Sequence, residues 1–145
     1  TSAGYGFIIR LGDLVTRNKK GKVSLRVPEG AQVLAPQAVA DKDDDWVAAV
    51  TNTGRLLIFT AFELPQLSRG KGVKLINIPK AKAVAGEVLV SACVFREGQK
   101  LRIHSGKRYL NLKPNDFENY VGSRAQRGRL LPRGFQQPHR IEAFD

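Results

Sequence analysis

The chain has 145 residues, enough for one domain, and 42% of them are apolar, which supports a buried core and argues against wholesale disorder. No run approaches the roughly 18 to 20 consecutive apolar residues of a membrane span, and a lone cysteine, Cys93, excludes an internal disulfide framework and suits a reducing compartment. Charge is the informative quantity: 24 cationic against 13 anionic residues leave a net +11, which bears on partners more than on fold.

In chain order, the sequence opens Thr1-Ser2-Ala3-Gly4 with neither Met nor a charged-then-apolar leader. No signal peptide is visible, and a piece of a longer protein is expected. A polar turn ending at Gly4 leads into a strand around Tyr5–Ile9, then the pair Asp13-Leu14, then the basic loop Arg17–Lys22 and a strand Val23–Val27. Pro28–Pro36 reads as a linker. Asp43-Asp44-Asp45 reads as a solvated turn, not a metal cluster, before a strand Trp46–Val50 with Trp46 in the core. The grammar then repeats: a turn at Thr51–Gly54, a strand rich in aromatic and β-branched residues, Glu63-Leu64, the loop Ser68–Lys74, and a strand Val73–Ile78 of period two. Pro79–Gly86 is a second linker, and Cys93 lies in the apolar run Val88–Phe95 as a core thiol. The third copy has a strand Leu101–Ile103, a turn ending at Gly106, a strand to Leu112 and the pair Asp116-Phe117. Two helical turns are expected over Pro114–Gly122, with Pro at the start and Gly past the end. The loop Arg124–Arg129 follows, and its exit Leu130–Gly134 is weakened by Pro132.

The turn glycines Gly4, Gly54 and Gly106 mark a period of about 50 residues, and charge follows it. Segments 1–27, 51–82 and 101–145 each carry +5, whereas 28–50 carries −4 and 83–100 carries 0. A repeat of this length with about four strands per unit is the propeller pattern. The expectation is one all-β domain over 1–145, with units at about 1–36, 45–79 and 88–135.

These residues carry a resemblance. "TNTGRLLIFTAFELPQLSRGKGVKLINIP" (Thr51–Pro79) is similar to a blade of the carboxy-terminal domains of the A subunits of bacterial type IIA topoisomerases. "GYGFIIRLGDLVTRNKKGK" and "GKRYLNLKPNDFENYVGSRAQRGRLLPRGF" resemble the topoisomerase IV branch more than the gyrase branch. No loop matches the Gln-Arg-Arg-Gly-Gly-Lys-Gly pattern of gyrase members; "SRGKG" and "AQRG" are degenerate forms. The resemblance implies a β-pinwheel, a propeller-like disc of four-stranded blades that exchange strands, about three of them here, with a basic rim that bends duplex DNA. It further implies a bacterial, cytoplasmic parent whose separate amino-terminal breakage-reunion domain holds the catalytic tyrosine and works with an ATPase subunit. Tyr5, Tyr109 and Tyr120 are therefore not nucleophile candidates.

The residue chemistry agrees. Lys and Arg bind DNA phosphates by displacing condensed counterions, and Arg can fork to two oxygens. Glycines between cations suggest backbone N–H groups approaching phosphate. The expected phosphate contacts are Lys19, Lys20, Lys22, Arg69, Lys71, Lys74, Arg124, Arg127, Arg129 and Arg133; Arg10, Arg55, Lys107 and Arg108 are either rim contacts or plain surface. Asp13, Glu63 and Asp116 are read as turn-capping acids. Few aromatics flank the loops, which disfavours a single-strand stacking platform. No phosphate-loop, dinucleotide or zinc motif is present, so no catalytic residue, metal or cofactor is expected. The alternatives are a gyrase-type wrapping domain and, from another class, a propeller whose basic rim binds an acidic protein.

Overall fold

The computed structural model of the chain describes residues 1–15, 21 and 23–145. Its strands are β1 (Tyr5–Gly6), β2 (Trp46–Thr51), β3 (Arg55–Thr60), β4 (Val73–Lys74), β5 (Leu89–Phe95), β6 (Lys100–Ser105), β7 (Arg108–Leu112), β8 (Arg129–Leu130) and β9 (Arg140–Phe144). Two short helices, α1 (Lys80–Val84) and α2 (Pro114–Phe117), complete the regular structure. The strands form three antiparallel sheets, ordered β1-β4, β5-β2-β3-β8 and β7-β6-β9. They stand as separate propeller-like blades, as the all-β reading requires, although among the described residues only the second has four strands.

The turns form where the glycines permit. Gly4 and Gly54 sit at φ +92° and +91°, and Gly106 at φ +61°, a region other residues enter at a cost of about 1–2 kcal/mol. Each of the first two donates its N–H to a threonine carbonyl three residues back, Thr1 and Thr51, at 3.0 Å. The repeat also governs how sheets are completed. Gly6 pairs with Val73, and Leu56 pairs with Arg129. The exits of the second and third basic loops thus supply the last strand of the sheet built by the preceding copy. Leu75 N–H donates to the Gly4 carbonyl at 2.7 Å, and Leu131 N–H donates to the Gly54 carbonyl at 2.8 Å. This is the strand exchange of a pinwheel. The sequence units and the sheets are consequently offset: β5 lies in the second sheet, and β9, beyond residue 135, completes the third.

Burial follows position in the stack. β2 and β3 are buried on both faces. Ala48, Val50, Leu56 and Ile58 join one cluster with Cys93, Phe95, Leu101, Ile103 and Ile141. Val47, Ala49, Leu57 and Phe59 join another with Leu64, Leu75, Ile76 and Leu89. A strand covered on both sides reads as a continuous apolar run, which "WVAAV" and "LLIF" are. β6 has one buried face, so "KLRIHS" alternates. Trp46 packs against the first cluster, as expected. Cys93 is 3% exposed, and burial, with a smaller contribution from Glu142, pushes its thiol up to about 12. The native protein should therefore not react with a thiol reagent at neutral pH, and a full reactive thiol should appear only on unfolding.

Several local expectations differ from the structure. Within Val23–Val27 the ladder is a single parallel bridge, Leu25 to Gly70. Within Val73–Ile78 the ladder to β1 covers only Val73 and Lys74; Leu75 N–H still reaches the Gly4 carbonyl, after which Leu75 and Ile76 are both buried and Asn77 N–H turns to the Gln126 carbonyl of the next copy. The helix at Pro114 spans four residues, capped by Asp116 accepting from Lys113 N–H at 3.0 Å, and relaxes into turns before Val121 bridges Ile58. The expected linker Pro79–Gly86 contains α1, whose Ala and Lys residues favour a helix directly after Pro79.

Candidate nucleic-acid interface

The second basic loop is built on its neighbours. Gly70 N–H donates to the Ser24 carbonyl at 3.0 Å, and Arg26 N–H donates to the Gly70 carbonyl at 2.8 Å. Arg26 and Arg69 are exposed beside that bridge. Lys71 lies with its Nζ 4.4 Å from the centre of the Tyr5 ring, a cation–π contact that steers the side chain without neutralising it. Tyr5 is opposite Lys74 in the β1–β4 ladder. The Lys74 carbonyl accepts from Arg124 Nη1 at 2.7 Å, while Arg124 N–H donates to Glu63 Oε1 at 2.9 Å. Arg26, Arg69, Lys71, Lys74 and Arg124 are thus linked contact by contact across successive copies. Among the described residues Arg127–Glu87 and Arg140–Glu142 are ion pairs, and His104 Nε2 lies 3.2 Å from Glu142 Oε1; none of these contacts involves this row.

Other expected contacts sit elsewhere. Arg129 is exposed on β8, opposite Leu56, and Arg133 is exposed further along. Lys19, Lys20 and Lys22 lie outside the described residues. Arg127 faces inward: its guanidinium meets Glu87 at 2.5 and 2.7 Å and reaches the Asn77 carbonyl at 3.3 Å. Glu87 is 4% exposed and also accepts from the Thr53 hydroxyl at 2.8 Å. Burial pushes its carboxyl up, but hydrogen bonds from Arg127 and Thr53, with the Arg127 charge, bring it below the usual glutamate range. Arg26 was not singled out in the sequence, although the +5 block over 1–27 contained the signal.

The loop glycines have a different job from backbone approach to phosphate. A Cβ at Gly72 would lie 2.2 Å from the Gly6 carbonyl oxygen, and one at Gly128 would lie 2.5 Å from that of Leu56. These glycines let the loop exit press against the preceding copy, and the Gly70 N–H is engaged by Ser24. Two of the expected turn-capping acids do cap: Glu63 Oε2 accepts from Thr60 N–H at 3.3 Å and Asp116 Oδ2 from Lys113 N–H at 3.0 Å, whereas the turn holding Asp13 has no side-chain cap. The Asp43–Asp45 turn is not solvated throughout: Asp45 is 6% exposed, and its Oδ2 accepts from Ala40 and Asp41 N–H at 2.9 and 3.0 Å. No helix among the described residues is long and apolar enough to cross a membrane.

Comparison with known proteins agrees with this geometry. A family model described as "DNA gyrase C-terminal domain, beta-propeller" matches residues 1–40 and 45–92, more than half of the chain. The chain is 47% identical over 138 residues to the A subunit of DNA topoisomerase 4 from Pseudomonas aeruginosa, covering 94% of this chain and 18% of that protein. It therefore spans less than a fifth of that relative's length. The solved structure of the E. coli ParC C-terminal domain superposes with a TM-score of 0.87 at 42% identity, over 99% of this chain and 58% of that one. A DNA gyrase A C-terminal domain gives 0.76 at 16% identity over 99% of this chain and 47% of that one, which shows a shared fold. Three blades, two of them closed by a strand from the next copy, together with the loop glycines and these matches lead to one assignment: the chain belongs to the DNA gyrase C-terminal domain, beta-propeller family.

Proposed function

We propose that the chain is a non-catalytic DNA-binding domain from the A subunit of a topoisomerase IV. It binds and bends duplex DNA along its basic loops. In the parent enzyme, a bacterial cytoplasmic protein acting on the chromosome, it presents the transport segment to the amino-terminal breakage-reunion domain, with the ATPase subunit completing the assembly. By holding that segment bent it tunes which DNA topology is relaxed. The observation that carries this reading is the row of cations Arg26, Arg69, Lys71, Lys74 and Arg124, joined across successive copies and making no ion pair among the described residues. The phosphate contacts proposed are these with Lys19, Lys20, Lys22, Arg129 and Arg133; Arg127, held by Glu87, is not among them. Backbone phosphates are the target, since no described element offers a set of side chains for base edges.

The test is duplex binding measured against salt. Each phosphate contact adds about 0.9 to the slope of log affinity on log salt. Reversing Arg69, Lys71 and Lys74 to Glu should lower that slope by about 2.7 and leave the melting temperature near wild type. A salt-independent wild type, or an unchanged slope in the triple variant, refutes the reading. Preferential binding of acidic polypeptide over duplex would instead favour a protein-interaction propeller.

A further inference from the structure

Among the described residues, the third sheet buries one face against the second and turns the other outward. Along β6 the inward residues Leu101 and Ile103 are 0% exposed, while Lys100, Arg102 and His104 alternate outward. Register places Tyr109 and Arg140 beside His104, Asn111 and Glu142 beside Arg102, and Phe144 beside Lys100. Cations outnumber acids here, three to one with histidine neutral.

Arg102 is held in an unusual way. The centre of its guanidinium lies 4.8 Å from the Tyr109 ring centre and 4.4 Å from that of Phe144. Its Nε donates to Asn111 Oδ1 at 2.9 Å. Glu142, directly opposite in the ladder, is engaged by His104 and by Arg140. Among the described residues, no hydrogen bond or ion pair is made by the two terminal nitrogens of Arg102. A guanidinium held between two rings and anchored through Nε keeps its terminal N–H fork free, with little rotamer entropy left to lose. That fork is the complement of two phosphate oxygens.

We propose that this face is a second phosphate-binding surface, centred on Arg102 and supported by Lys100 and Arg140, that takes the backbone of duplex DNA away from the loops. The rings serve the guanidinium, so they are not free to stack bases, and this favours backbone over unpaired bases as the ligand. The inference rests on the DNA-binding reading above but not on the loop residues.

Binding of a duplex, a single strand and an acidic polypeptide is compared across salt for wild type, Arg102→Gln, Arg102→Lys, Asn111→Ala and the loop triple reversal, with thermal melts to confirm folding. Arg102→Gln should lower the duplex salt slope by about 0.9. Arg102→Lys should keep the charge yet lose about tenfold in affinity, because a point charge replaces the fork. Asn111→Ala, which leaves the cation in place, should lose part of the affinity with the slope unchanged. A wild-type slope in Arg102→Gln, wild-type affinity in Arg102→Lys, or a loss confined to single strand or polypeptide overturns the proposal. Loss of binding in the loop triple alone leaves the loop reading standing without this one. Loss in Arg102→Gln alone does the reverse, and a wild type that binds no duplex removes both.

Discussion

Gly72→Ala is expected to destabilise the protein by about 3 kcal/mol or more, lowering its melting temperature by roughly 10 °C. Two costs combine. Gly72 sits at φ +85°, where a side chain costs about 1–2 kcal/mol, and the new Cβ would lie 2.2 Å from the Gly6 carbonyl oxygen and 2.5 Å from its carbon. Both atoms are backbone in the β1–β4 ladder, so neither can rotate away, and the ladder itself must part. Gly98→Ala is the control. Its φ is +92°, but nothing lies within 4 Å of its Cβ position, so only the conformational cost of about 1–2 kcal/mol applies. Thermal or denaturant unfolding of the two variants separates the terms. Equal losses would mean that β4 does not press on β1 as described.

The second large effect belongs to Glu87. Its side chain is 2% exposed and its partner Arg127 is 24% exposed, so Glu87→Gln leaves a largely buried guanidinium facing neutral acceptors. The cost should be about 3 kcal/mol, at the low end for a broken buried pair because Arg127 retains some water. The pair also sets an acid limit. The folded carboxyl titrates below its ordinary range, so its contribution is present above the unfolded glutamate pKa and is lost as pH falls through the folded value. Wild type should therefore lose stability on acidification beneath the usual glutamate range, and Glu87→Gln should lose less over that window. Parallel stability–pH curves for the two proteins would show that the pair holds no such charge.

Much of the fold could be read from residue pattern because backbone geometry demanded it. The turn glycines at 4, 54 and 106 occupy positive φ, so their spacing reported the repeat. The solid apolar runs of β2 and β3 and the alternation in β6 reported two-sided and one-sided burial. What pattern could not supply was partnership. Val23–Val27 alternates as a strand should, yet it finds only one bridge among the described residues. β9 escaped notice because Arg140 and Glu142 on its outward face hide a short apolar register.

The interface shows the same division. The basic loops were visible as charge, but the direction of each cation depends on residues far away in sequence. Aligning the loops on Gly72 and Gly128 makes Lys71 and Arg127 counterparts. Lys71 meets the ring of Tyr5 and stays exposed, whereas Arg127 meets the carboxylate of Glu87 and turns inward. Tyr5 in the first copy corresponds to Arg55 in the second, and a buried acid is what the second copy has in place of a ring. Net charge alone cannot distinguish a cation available to a partner from one already engaged.

Because the exits of the second and third loops each close the sheet before them, the described blades are locked to one another. Cutting after the second linker would remove not just the third blade but β8 and β5 from the second, stripping the two outer strands from the β2–β3 hairpin. A protease nicking an exposed turn should therefore find fragments held together like links of a clasp, and a truncation series should lose its folded signal in one step rather than blade by blade. On the proposed reading of a domain that holds a bent duplex, such interlocking would pass load along the backbone ladder instead of leaving it to side-chain contacts between blades.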